Sequence, residues 1–128
     1  MALPPRGRGA IRREADEVKS SLLSAAAFIA LTSAAHSSTV TAFCPCVRCT
    51  GQWSGGPTAS GIMPRAGITV AAPRSIPFGT RVRIGDLGVF VVQDRLAKRY
   101  DNRFDVFMES HATARAFGKR SLKVTVLP

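Results

Sequence analysis

The chain has 128 residues, enough for one hydrophobic core and an extension but not for two folded domains. Aromatic residues make up only 7%, and eleven glycines with eight prolines break the chain into short segments, which excludes a bundle of long helices. The net charge of +10 lies mostly after residue 35 and implies an anionic partner or surface, although interspersed Arg and Lys are more often a solvated face; no aromatics alternate with the basic residues as a single-strand stacking platform requires, so no nucleic acid is expected.

The first segment reads as a leader, the alternatives being an uncleaved anchor or an extension from a mistaken start. Arg6, Arg8, Arg12, Arg13 and Lys19 precede the uncharged stretch Ser20 to Ala35, whose centre from Leu22 to Leu31 is apolar. A basic region, a short apolar run and small residues at Ser33, Ala34 and Ala35 form the pattern of an export signal, or of an N-terminal membrane anchor, over residues 1–37. The apolar run is shorter than the ~20 residues that span a bilayer comfortably. Glu14, Asp16 and Glu17 depart from the uniformly positive start of a signal.

From residue 38 to 128 the pattern changes to short β-prone runs punctuated by Gly and Pro, as in an all-β barrel or sandwich. Six runs are expected as strands: Thr39 to Phe43, Ile68 to Ala72, Arg81 to Ile84, Val89 to Gln93, Phe104 to Met108 and Leu122 to Leu127. In Arg81-Val82-Arg83-Ile84 and Lys123-Val124-Thr125-Val126 polar and apolar residues alternate, so each has one wet face. One short helix is expected over His111 to Phe117, with Ser110 as its N-cap, Gly118 as its terminator, and Lys119 and Arg120 beside its carbonyl-rich end.

Chemistry is expected on the loops that such a barrel holds in place. Asp94 ends the apolar strand Val89 to Gln93 and Asp105 opens the following one, so the two carboxylates are expected on adjacent strands. A carboxyl lodged among apolar residues loses solvation and keeps its proton toward neutrality, which suits a general acid; Asp105 fits that role better. The competing reading is that Asp94 and Asp105 pair with Arg95, Arg103 or loop amides. Cys44, Cys46 and Cys49 are closely spaced, but His36 and His111 give no local sign of a dyad, and nothing downstream supplies a second Cys or His pair. A closed zinc site takes four ligands, so no metal is expected, and a disulfide with one thiol left over is the plainer reading.

Several segments together resemble a family. Thr41 to Gly56, which carries Cys44-Pro45-Cys46-Val47-Arg48-Cys49, is followed by Thr58-Ala59-Ser60-Gly61, Val70-Ala71-Ala72, Ile76-Pro77-Phe78-Gly79-Thr80, Val91-Val92-Gln93-Asp94, Asn102 to Phe107, and Val124 to Leu127. In that order they are similar to the three-aspartate (3D) domain proteins of bacterial cell-wall enzymes. The resemblance implies a six-stranded double-psi β-barrel related to the catalytic barrel of membrane-bound lytic transglycosylase A.

It further implies a lytic transglycosylase that cleaves peptidoglycan between N-acetylmuramic acid and N-acetylglucosamine without a cofactor, in the periplasm or cell wall, as a monomer. By position Asp105 matches the acid/base and Asp94 the second aspartate of the cleft. Thr58 and Ser60 match positions facing the cleft, and Arg103 joins them as a substrate-binding residue. Trp53 either seals the barrel, the better-supported reading, or stacks on a sugar. Two departures stand out: the first family aspartate is replaced by Ala72, and the glycine-rich stretch after Asp94 is replaced by Arg95-Leu96-Ala97-Lys98-Arg99-Tyr100-Asp101. The alternative that Ala72 favours is a glycan-binding or wall-loosening module comparable to expansins, which binds without cleaving.

Overall fold

The computed structural model describes residues 34–128. The leader expected over residues 1–37 lies outside the described residues except for its last four. Six strands form the fold: β1 (Ala35–Phe43), β2 (Thr69–Ala71), β3 (Arg81–Ile84), β4 (Gly88–Asp94), β5 (Phe104–Phe107) and β6 (Arg120–Val126). They close into a barrel in the order β1-β5-β2-β4-β3-β6, with β6 pairing back onto β1. Closure leaves no unpaired edge, which matters for strands this short.

The barrel is mixed. β1 runs parallel to β5 and β2 parallel to β4, while the remaining neighbours are antiparallel. All six expected strands are present, and β1 begins at Ala35 rather than Thr39 because Ala35 to Ser38 pair with Thr125 to Leu122 of β6.

The period-2 alternation of the strands sorts the side chains. Val40, Val70, Val82, Ile84, Phe90, Val92, Phe104, Val106 and Val124 point inward and are at most 5% exposed. Each such burial contributes roughly 1.5–3 kcal/mol. Arg81 and Arg83 stand outside between Val82 and Ile84, as their alternation requires.

Two short helices are appended. α1 (Val47–Thr50) follows β1 directly and runs into a 3-10 turn over Gly51–Trp53. α2 (His111–Phe117) packs Ala114 and Phe117 inward and has the expected ends. Ser110 accepts a bond from the Thr113 amide at 3.1 Å, and Gly118, at φ 66°, ends the helix. Arg120 donates to the Phe117 carbonyl at 3.1 Å.

Candidate active site

Inward and outward alternation also builds the site. With Phe104 and Val106 in the core, Asp105 and Phe107 of β5 are left on the outer face. There Phe107 joins Phe43 of β1 and Ala71 of β2 in a second apolar cluster, against which Cys49 and Leu96 pack. The two phenyl rings meet edge to face at 5.4 Å. This apolar floor belongs to a cleft of about 920 Å³ whose lining includes Asp94, Asp105, Thr58, Trp53, Arg95 and Tyr100. A smaller hollow of about 250 Å³, lined by Ile62, Met63, Arg65, Ile68 and Gln93, holds no carboxylate.

Asp94 and Asp105 therefore share one cleft but do not stand on adjacent strands, contrary to the expectation from their order in the chain. β2 lies between β4 and β5, and Ala71 is in register with both carboxylate-bearing residues. A bulge places Asp94 there: Val70 pairs with Val92 and Ala71 with Asp94, so Gln93 is the extra residue. Without that bulge Asp94 would continue the inward set of Phe90 and Val92; bulges next to sites commonly re-aim a side chain in this way. Gln93 is held by the Thr69 hydroxyl at 2.7 Å.

The two carboxyls differ in environment. Burial against the apolar floor pushes the Asp105 pKa from 3.8 up to about 6, and the negative charge of Asp94 adds to the rise. The Thr41 hydroxyl, which donates to Asp105 Oδ1 at 3.0 Å, and the charge of Arg103 oppose it. Thr41 and Asp105 are register partners on the parallel strands β1 and β5, which is why their side chains meet. Asp94 instead accepts backbone bonds from Ala59 at 3.0 Å and Arg95 at 2.8 Å.

The expected substrate-binding residues are placed differently from one another. Thr58 lines the cleft, but its hydroxyl is spent within its own turn: it donates to the Ile62 carbonyl at 2.6 Å and lies 2.9 Å from the Ser60 hydroxyl. Ser60 is outside the lining, and its amide donates to the Gln93 carbonyl at 3.1 Å. Both residues thus hold the Thr58–Gly61 turn over Asp94. Arg103 is also outside the lining, stacked on the Tyr100 ring at 4.5 Å. Trp53 is 71% exposed at the cleft, so it does not seal the barrel, and the core-packing expectation is overturned.

Ala72, where the resemblance led to the expectation of an absent aspartate, is fully buried in the core. Its carbonyl accepts from Arg95, whose guanidinium also binds the carbonyls of Pro73 at 3.2 Å and Ile76 at 2.7 Å and lies over Phe78 at 4.1 Å. Arg74, Arg95 and Arg99 line the cleft and give it a basic rim, although Arg74 is engaged with Asp101 at 3.0 Å.

Solved structures similar to this chain include three of one enzyme. They are two crystal structures of MltA from Escherichia coli, one described as revealing a unique lytic transglycosylase fold, and an apo form of an aspartate-to-alanine variant of the E. coli lytic transglycosylase MltA. The TM-scores are 0.45, 0.47 and 0.45, at 24%, 21% and 23% identity, over 56%, 60% and 56% of this chain. The matches cover 27%, 28% and 27% of those chains, so this chain spans little more than a quarter of their length. No family model and no curated protein matches the sequence.

Beside the cleft the structure corrects the reading of the cysteines. Cys44, Cys46 and Cys49 are free thiols rather than a disulfide with one thiol left over. The imidazole of His111, the first residue of α2, stands against all three thiols, its Nδ1 lying 3.8, 3.4 and 3.6 Å from the sulfurs of Cys44, Cys46 and Cys49. Burial pushes the Cys44 thiol up to about 11, while the bond it donates pulls Cys46 down to about 6. Local sequence carried no sign of this, because His111 is 62 residues from Cys49 and meets it through the pairing of β1 with β5, the strand that leads into α2.

Proposed function

We propose that the chain cleaves peptidoglycan glycan strands as a lytic transglycosylase, with Asp105 as acid and then base. The observation that carries this reading is a carboxyl with its pKa raised to about 6 on the apolar floor of an open cleft. A general acid must hold its proton near the working pH and still reach the substrate, and Asp105 meets both conditions. The order of the family-like segments in the sequence supports the same substrate class.

In the proposed reaction Asp105 donates its proton to the oxygen leaving C1 of N-acetylmuramic acid as the C1–O bond breaks. The muramic 6-hydroxyl oxygen then bonds to C1, and the carboxylate of Asp105 takes up the hydroxyl proton. The 1,6-anhydro ring closes, no water is consumed, and Asp105 ends protonated for the next turnover. One carboxyl serves both steps, unlike the paired carboxylates of hydrolytic glycosidases. Asp94 contributes negative charge that holds the proton on Asp105. Trp53 offers an exposed ring to a sugar face, and the basic rim suits a polymer bearing carboxylates. An extracytoplasmic location follows from that substrate.

The test is incubation of the purified protein with peptidoglycan and mass spectrometry of the soluble products. 1,6-Anhydromuropeptides are expected from the wild type and not from Asp105→Asn. Their absence from the wild type, or equal amounts from both, would remove the enzymatic reading.

A second reading has one observation in its favour: Ala72 puts no polar side chain where the family carries its first aspartate. On that reading the cleft binds glycan without cutting it. Sedimentation with insoluble peptidoglycan and no release of fragments is its signature.

A further inference from the structure

Beside the glycan cleft, three thiols and one imidazole nitrogen converge: the ligand atoms of Cys44, Cys46, Cys49 and His111 all lie within 4.8 Å of one another. We propose that Cys44, Cys46, Cys49 and His111 form a closed structural site for one Zn²⁺ ion that ties α1 and the end of β1 to the start of α2. This inference does not rest on the transglycosylase reading.

The distances suit a tetrahedral ion. With Zn–S of about 2.3 Å and Zn–N of about 2.0–2.1 Å, the edges of a regular tetrahedron are about 3.8 Å between sulfurs and about 3.6 Å from sulfur to nitrogen. The sulfur-to-Nδ1 separations of 3.8, 3.4 and 3.6 Å already have this length. Cys44 Sγ is 2.9 Å from Cys46 Sγ and 3.3 Å from Cys49 Sγ, so those edges open by less than about 1 Å around the ion.

The backbone is arranged for the same purpose. Cys46 is the N-cap of α1 and Cys49 its third residue, and the amides of Cys49 and Thr50 donate to the Cys46 carbonyl at 3.1 and 3.0 Å, which closes the turn that carries both thiols. Cys44 follows the last residue of β1, which fixes its direction, and the Ser110 cap fixes the first turn of α2 that carries His111.

Other chemistries fit less well. A nucleophile and base need one sulfur on one nitrogen, whereas Nδ1 faces all three sulfurs. Four protein ligands leave no open position, so the ion would be structural rather than catalytic, and a set of three thiolates with one imidazole selects zinc among the common divalent ions. Binding displaces the thiol protons, and the complex carries one net negative charge. Because Cys49, Thr50 and Trp53 line the cleft, the ion would stiffen the wall that presents Trp53.

Metal analysis of the full chain, purified under reducing conditions and equilibrated with Zn²⁺, tests this. One zinc per chain is expected, together with a higher melting temperature that a strong chelator reverses. Replacement by Co²⁺ is expected to give the intense visible bands of a tetrahedral site and thiolate-to-cobalt charge transfer. His111→Gln should weaken Zn²⁺ binding by more than the roughly 10- to 100-fold seen when an outer-shell partner is lost. Competition of the wild type against a chromogenic chelator needs no variant to fold. The proposal is overturned if the reduced wild type retains no more zinc than a variant with all three cysteines changed to serine, if bound cobalt is octahedral, or if His111→Gln binds Zn²⁺ as the wild type does. Each readout is independent of glycan cleavage.

Discussion

Replacing Asp105 by Asn should stabilise the fold at neutral pH while abolishing the proposed chemistry. The folded state raises this carboxyl from 3.8 to about 6, so the native protein holds the proton more tightly than the unfolded chain. The corresponding stability is present in full below 3.8 and is lost as the pH rises through about 6. Each pH unit across that window is worth about 1.4 kcal/mol, which sets a ceiling of ~3 kcal/mol for a group that still reaches solvent through the cleft. Asn carries no charge at any pH, and its amide oxygen still accepts from Thr41. Urea unfolding of both proteins at a series of pH values is the assay. The stability of Asp105→Asn relative to the wild type should climb between pH ~4 and ~6 and then level off. A difference that stays flat across that window, or falls with rising pH, would refute the claim that burial governs this carboxyl.

Thr41→Val removes the donor that favours the ionised carboxyl, so the alkaline fall of glycan cleavage should move to higher pH; a fixed or acid-shifted profile would contradict the Thr41 bond to Asp105. Asp94→Asn keeps an acceptor for the Ala59 and Arg95 amides but loses the charge, so the same profile should move toward acid, whereas Asp94→Ala leaves both donors to water and should cost about 0.5–1.5 kcal/mol in urea unfolding. Trp53→Ala should change stability by less than ~0.5 kcal/mol because the ring is exposed. It should weaken sedimentation with peptidoglycan by roughly three- to tenfold, the worth of one stacked ring.

Much of the barrel was legible because its strands are short and punctuated. Arg81-Val82-Arg83-Ile84 states its own facing by alternation, and the Ser110 and Gly118 ends of α2 are set by local backbone chemistry. Asp105 was singled out for its apolar neighbours in the chain, yet Phe104 and Val106 turn into the core and the apolar floor beside the carboxyl comes from Phe43, Ala71 and Phe107 instead. What failed were inferences across the barrel. Chain order suggested that the strands of Asp94 and Asp105 are neighbours, but β2 inserts between them, and the bulge at Gln93 that turns Asp94 into the cleft leaves no mark in residue type. Thr41 was seen only as part of a motif, because its bond to Asp105 depends on parallel register between distant strands. His111 was read as an ordinary helix residue for the same reason. Of the two readings of Trp53, sealing the barrel was the better supported, yet the 3-10 turn that carries it lies on the cleft rim, outside both apolar clusters.

The most direct measurement is a carbon-13 NMR titration of the Asp105 side-chain carboxyl in the folded protein, assigned by comparison with Asp105→Asn. A midpoint near 6 is expected, falling on Asp94→Asn and rising on Thr41→Val. A midpoint near the ordinary 3.8, unmoved by either substitution, would contradict the account of a sheltered proton donor in this cleft.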